Sequence, residues 1–197
     1  MQNLMMSKLS KSFYRGNNVV KISKNLLGKI LFTKIENEIT AGIITETEAY
    51  EGATDKASHA YANKRTKRTE IMFQNGGVAY VYLCYGIHSL FNVVTNKNGI
   101  PHAVLIRGIK PIEGIETILK RRGKNKIDKN ICMGPGKLSQ ALGIKTEYSG
   151  ISLCENTIWI EDSDLSINEN DISLGKRIGV DYAKEDADLL YRFTLKI

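Results

Sequence analysis

The sequence predicts an α+β fold, a single mixed domain over residues 1–197 in which a curved, mainly antiparallel β-sheet is flanked by helices. Three observations carry this. Strand-like segments follow one another across short turns between residues 78 and 107, the pattern of antiparallel ladders rather than βαβ crossovers. Amphipathic stretches suited to helices lie before and after that block instead of alternating with it. A chain of 197 residues, 42% of them hydrophobic, can bury one core without a metal or disulfide staple.

Taken in order, residues 20–33 (VKISKNLLGKILFT) are expected to form a helix that passes into a short strand. Residues 39–50 (ITAGIITETEAY) suit a strand, with β-branched side chains dominant and Gly42 the only breaker. Residues 51–71 are polar and irregular, marked as loop by Gly52, Asp55 and Asn63. Strands follow at 78–83 (VAYVYL), 90–95 (LFNVVT) and 102–107 (HAVLIR), the last two joined by an Asn-Lys-Asn-Gly turn. Pro111 should open a helix to Arg122 that buries Ile112, Ile115, Ile118 and Leu119, and residues 137–143 a short helix ending at Gly143. The tail alternates strands (ISLCE, TIWIE, YRFTLKI) with acidic turns.

Three cysteines, Cys84, Cys132 and Cys154, are an odd number without CxxC spacing, which argues against a disulfide framework or zinc site and for a reducing cytoplasm. No apolar run suits a signal peptide or a membrane span, so no membrane association is expected. The net charge of +7 is unevenly spread. Residues 61–137 carry 14 Lys/Arg against 4 Asp/Glu, whereas residues 138–197 carry 6 against 11. A basic middle suits a polyanion-binding face, although a Lys-rich composition alone produces the same pI.

Chemistry-bearing residues cluster between Glu46 and Arg107. Alternation places Glu46, Glu48 and Tyr50 on one strand face and Thr47 and Ala49 on the other. A solvated face accounts for two such carboxylates as readily as a catalytic pair does. His59 stands in the irregular loop, where isolated histidines are commonly plain surface residues. Tyr80 and Tyr82 share a strand face, and Tyr85 falls where Gly86 turns the chain; aromatics on a strand also serve as ordinary packing. The run Lys64-Arg65-Thr66-Lys67-Arg68 offers phosphate-neutralising cations in the same loop as His59. A carboxylate, stacking rings, an imidazole and cations within about 60 residues are what chemistry on an extruded base requires.

These residues carry a resemblance. ETEAYEG-ATDKASH, then TKR, MF, YVYLCYGIH, FNVV and LIRGIKPIEG, resembles the alkyladenine (3-methyladenine) DNA glycosylase family, and GPGKLSQALGI, RIGVDYA and YRF continue the match in order. It spans the chain from about residue 10 to the C-terminus. The resemblance implies a base-excision repair enzyme that flips an alkylated or deaminated purine out of double-stranded DNA and hydrolyses its N-glycosidic bond. It would be monofunctional, a monomer, and free of metal or organic cofactor. By the same resemblance Glu48 is the catalytic carboxylate, while Arg107 and the backbone after Asn92 help hold the attacking water. Tyr50, His59 and Tyr82 enclose the flipped base, Asn92 lies at the pocket floor against the guanine exocyclic amine, and Tyr85 wedges into the vacated stack. Lys64, Arg65, Thr66, Arg68 and Lys137 are the candidate DNA-backbone contacts. Glu46 matches no catalytic role. The sequence departs from the family where Leu190-Tyr191-Arg192-Phe193 replaces a common Pro-Trp-Arg-Phe, and where Glu70 adds an acid beside the basic loop.

Two other readings remain at this point. A non-catalytic nucleic-acid-binding protein would use the same tyrosines and cations without Glu48. A glycoside hydrolase would use Glu46 and Glu48 as an inverting pair, since residues i and i+2 on a strand are roughly 6.5–7 Å apart.

Overall fold

In the computed structural model, which describes residues 7–196, the helices α1 (Lys11–Tyr14) and α2 (Val19–Leu26) come first. Asn18 caps α2 by accepting the Lys21 N–H at 2.8 Å. The strands β1 (Ile30–Ile35) and β2 (Glu38–Tyr50) form a hairpin through Glu36 and Asn37, whose φ values of 58° and 63° suit a type I′ turn. After an irregular stretch with short 3₁₀ turns come β3 (Ala79–Cys84), β4 (His88–Thr95) and β5 (His102–Glu113). Then follow α3 (Ile115–Arg122), α4 (Pro135–Leu142), β6 (Ile158–Glu161), β7 (Ile172–Gly175) and β8 (Arg192–Leu195).

The strands form one curled antiparallel sheet in the order β3-β4-β5-β2-β1-β6, with β8 beside the second half of β2 and β7 beyond it. The long β2 is its spine. Along β2 and β5 the ladder slips three times, leaving Ile112 and Arg107 unpaired on β5 and, between them, Thr45 unpaired on β2. Such compensating bulges bend a strand pair and re-aim side chains. Gly42 marks a close approach between the same strands: a Cβ there would meet Ile109 Cδ1 at 2.6 Å and the Lys110 carbonyl at 2.9 Å.

Strand alternation divides the sheet into two faces. Val81, Phe91, Val93, Val104, Ile106 and Ala49 join the main core with α2, α3 and α4. The opposite face carries Tyr80, Val94 and Ala103, which pack with Ala60, Met72 and Phe73 from the irregular segment. Helices thus cover one side and a long loop the other, so the site face is roofed by loop rather than by helix.

Three expectations are corrected. The helix expected from Pro111 begins instead at Ile115: β5 runs on to Glu113, pairing Pro111 with Gly42, and Gly114 at φ 68° turns the chain out of the strand. The length of β2 supplies the partner that holds Pro111 in extended structure. Residues 151–155 form only an isolated bridge, Val78 to Ser152, beside the start of β3. The strand β7, at four residues too short to stand out in the sequence, adds itself to the edge of β8. Of the expected final strand, residue 197 lies outside the described residues.

Candidate active site

One row of directly paired residues crosses five strands on the loop-covered face. Tyr80 pairs with Asn92, Asn92 with Leu105, Leu105 with Glu48, and Glu48 with Arg192. The strand register therefore brings Tyr80, Asn92 and Glu48 onto one line, while Tyr82 and Tyr50 stand two residues further along their strands on the same face.

Glu48 is fully buried, and each of its oxygens has a defined donor. Its Oε1 accepts the Ile178 backbone N–H at 2.8 Å. Its Oε2 accepts the Tyr50 hydroxyl at 2.8 Å and Arg107 Nη1 at 3.3 Å. Burial raises the Glu48 carboxyl above its ordinary value, opposed by the Arg107 guanidinium and these hydrogen bonds. Burial and then the Glu48 charge push the Tyr50 phenol well up, so it stays protonated and donates. A solvated strand face is excluded by this geometry.

Arg107 divides itself between two carboxylates, with Nε 3.2 Å from Glu46 Oε1 and Nη1 on Glu48. Arg192 adds a second guanidinium to the same Glu46 oxygen at 3.1 Å. Neither carboxylate lines the cavity itself: Glu46 is held between two guanidiniums, whereas Glu48 is held by three groups of the cavity wall, which disfavours a matched inverting pair.

The cavity has a volume of about 260 Å³. Tyr50, His59, Tyr82, Asn92 and Arg107 line it, together with Ile178 and Tyr182. It is smaller than the roughly 300–1,000 Å³ of drug-sized ligand sites, which suits one planar ring system. The three groups that hold Glu48 form part of its wall. His59 packs edge-on to Tyr82 at 4.6 Å, its Nδ1 2.9 Å from the Tyr80 hydroxyl. Burial and then Arg68 lower the His59 ring to about 4, leaving it neutral at neutral pH. Both amide hydrogens of Asn92 are held by carbonyls, Tyr80 at 3.1 Å and Leu90 at 3.2 Å. Among the described residues no lysine lines the cavity.

Tyr85 stands at its mouth on the β3–β4 hairpin, 91% exposed at φ 51°. A bulky residue in the left-handed region is strained, and such strain concentrates at functional sites. Among the basic residues, Lys64 and Lys137 are exposed, and Thr66 closes a turn by donating its N–H to Thr69 Oγ1 at 2.9 Å. Arg65 faces Glu70 at 3.4 Å and stacks 4.2 Å over Phe73. Arg68 turns inward, 4.8 Å over the Tyr82 ring and with Nε donating to the Tyr80 hydroxyl at 3.2 Å.

The backbone group that reaches Glu48 is the N–H of Ile178. Ile178 follows Arg177, which is buried against Asp55 and lies 4.9 Å over the Tyr50 ring. Sequence reasoning gave neither residue a role. The signal was present in the RIGVDYA segment, where an arginine precedes a Gly-containing apolar pair within an acidic stretch. Among the described residues, no group of three His, Cys, Asp or Glu could hold a metal ion, and no helix is long and apolar enough to cross a membrane.

This geometry is accompanied by likeness to known proteins. The profile of the methylpurine-DNA glycosylase family matches residues 12–197. A protein of Chlamydia abortus, provisionally named a 3-methyladenine DNA glycosylase, is 47% identical over 190 residues, 96% of this chain and 98% of its own. One of Clostridium novyi with the same provisional name is 42% identical over 198 residues, 97% of this chain and 96% of its own. With a buried carboxylate held by three groups of an aromatic cavity's wall and that likeness over nearly its full length, the chain belongs to the methylpurine-DNA glycosylase family, DNA glycosylases of DNA repair.

Proposed function

We propose that the protein is a monofunctional glycosylase that takes an alkylated or deaminated purine from double-stranded DNA into this cavity and cleaves its N-glycosidic bond with a water activated by Glu48. The observation that carries the reading is the burial of Glu48 between the Tyr50 hydroxyl, Arg107 and the Ile178 N–H, all on the cavity wall.

As the base departs, positive charge grows on the sugar. A carboxylate beside it accepts a proton from water and stabilises the oxocarbenium-like state. The three donors fix the orientation of Glu48, and burial keeps its basicity above that of a solvated carboxylate. Among the described residues no lysine stands on the cavity wall, so no described side-chain amine is placed there to form a Schiff base with the sugar. Tyr50 and Tyr82 offer ring faces to the base, and an alkylated purine, already cationic, gains a cation–π attraction of about 0.5–2 kcal/mol. A neutral His59 adds no charge against such a cation. Since both amide hydrogens of Asn92 are committed, rejection of a guanine amino group at that edge rests on the fixed volume of the amide rather than on donor repulsion. Flipping costs a few kcal/mol, less for a damaged base, and Tyr85 offsets part of it by filling the gap.

The test is incubation with duplexes carrying 3-methyladenine, hypoxanthine or ethenoadenine, followed by alkali. Strand breaks that appear only after alkali support a monofunctional glycosylase. Breaks without alkali would show lyase chemistry, and intact DNA at every lesion would refute the reading.

A further inference from the structure

We propose that Glu46 is a positioning residue, holding Arg107 between the two carboxylates and, with Arg192, setting the charge that Glu48 feels. The inference rests on the reading of Glu48 as the base. Glu46 is 6% exposed, and one of its oxygens receives both Arg107 Nε at 3.2 Å and Arg192 Nη1 at 3.1 Å. A buried carboxylate with that environment is costly unless it is paired, so the pairing is built in rather than incidental. Arg107 lies on a bulge, outside the regular ladder, and lacks the rigid register of a paired strand residue. Glu46 supplies the missing anchor: with Nε fixed on Glu46, Nη1 is directed to Glu48 Oε2.

The charges form a balanced set of two carboxylates, Glu46 and Glu48, and two guanidiniums, Arg107 and Arg192. The other ionisable groups facing Glu48 are Tyr50, protonated, Tyr182, and Arg177, whose charge is met by Asp55. Removing the Glu46 charge leaves a net positive site. Arg107 is then free to pair wholly with Glu48, which becomes a weaker base and a poorer partner for a developing sugar cation. Removing Arg192 does the opposite.

Single-turnover excision measured against pH separates this from a structural role. Glu46→Gln should lower the plateau rate by about 10–10²-fold and move the acid limb to lower pH by about one unit. Glu46→Asp keeps the charge and should return the limb to its native position. Arg192→Gln should move the limb to higher pH. Equilibrium binding to lesion DNA, with circular dichroism, confirms that each variant is folded; if Glu46→Gln does not fold, the Arg192→Gln displacement decides. A limb that Glu48→Gln abolishes but that stays in place in Glu46→Gln and Arg192→Gln overturns the inference alone. A limb that survives in Glu48→Gln overturns the base assignment itself.

Discussion

Asp55 and Arg177, 122 residues apart in the chain, meet as an ion pair in which neither side chain is more than 1% exposed. Asp55 also accepts the N–H groups of Glu51 and Ala57, and Arg177 also donates to the carbonyls of Ala49 and Asp186. The pair thus ties the loop that carries His59 to the segment whose next residue, Ile178, holds Glu48.

Breaking one side of it should cost both stability and activity. Asp55→Asn leaves a buried guanidinium without its counter-charge, a loss of about 3–5 kcal/mol. At roughly 2–4 °C per kcal/mol, calorimetry should show a melting temperature lower by about 6–20 °C. Excision should fall even well below the new melting temperature, because Ile178 is no longer fixed. A change of less than 2 °C with native excision would mean that the pair is incidental.

The sheet was largely legible because its strands alternate. Tyr80 and Tyr82, Glu46, Glu48 and Tyr50, and Thr47 with its hydrogen bond to Ser23 take the faces that period-two reading assigns. Pro111 misled because its fit to a helix start is local, whereas its pairing with Gly42 depends on β2 being long enough to reach it. The site was legible where it follows the strands and opaque where it depends on closure over distance. Nothing near Glu48 in the sequence indicates Ile178, and nothing near Asp55 indicates Arg177. Arg68 belongs by composition to a cationic run, yet the rings of Tyr80 and Tyr82 draw it inward.

His59 should remain neutral in the working range. Its ring is lowered from 6.5 to about 4 by burial and then by Arg68. The unfolded chain therefore binds the extra proton between those values, so the stabilising contribution is present above pH 6.5 and lost as pH falls through 4. A two-dimensional NMR titration of the ring nitrogens should give a midpoint below 5. A midpoint near 6.5 would show an exposed ring and a pocket that gains charge in mild acid.

Exposed cations should differ in their effect on salt dependence. Each phosphate contact contributes about 0.9 to the slope of log affinity against log salt. Lys64→Ala with Lys137→Ala should flatten the slope by about one to two units. Arg65→Ala should do less, since Glu70 already faces that guanidinium. An unchanged slope in the Lys64/Lys137 double variant would place the DNA backbone elsewhere.

Tyr85 at the hairpin tip should matter for DNA and not for folding. Its ring is 91% exposed, so Tyr85→Ser removes little packing and relieves a bulky side chain of a left-handed φ. The melting temperature should hold or rise slightly, while affinity for lesion duplexes and the excision rate fall. Excision of a lesion that is already unpaired should suffer less. Equal losses on both substrates would make the tyrosine a structural residue of the turn.

Glu48→Gln separates binding from chemistry. Glutamine keeps the shape and can still accept the Ile178 N–H, but it cannot take a proton from water or carry the charge that stabilises the sugar cation. The Tyr50 hydroxyl and Arg107 both donate to Oε2, so the amide loses the Ile178 bond if it presents its oxygen to them and loses both of theirs if it turns the other way. Binding of a lesion duplex should be retained or strengthened, because a negative charge near the phosphates is gone. Excision should drop by about 10²–10⁴-fold for the missing base, and further for the missing charge. The native enzyme, in turn, should lose activity in acid at a pH above that of an ordinary solvated carboxylate, since burial raises Glu48 and only its ionised form accepts the proton. Single-turnover rates beside equilibrium binding decide the matter: near-native excision by Glu48→Gln would move the reaction's base to another residue.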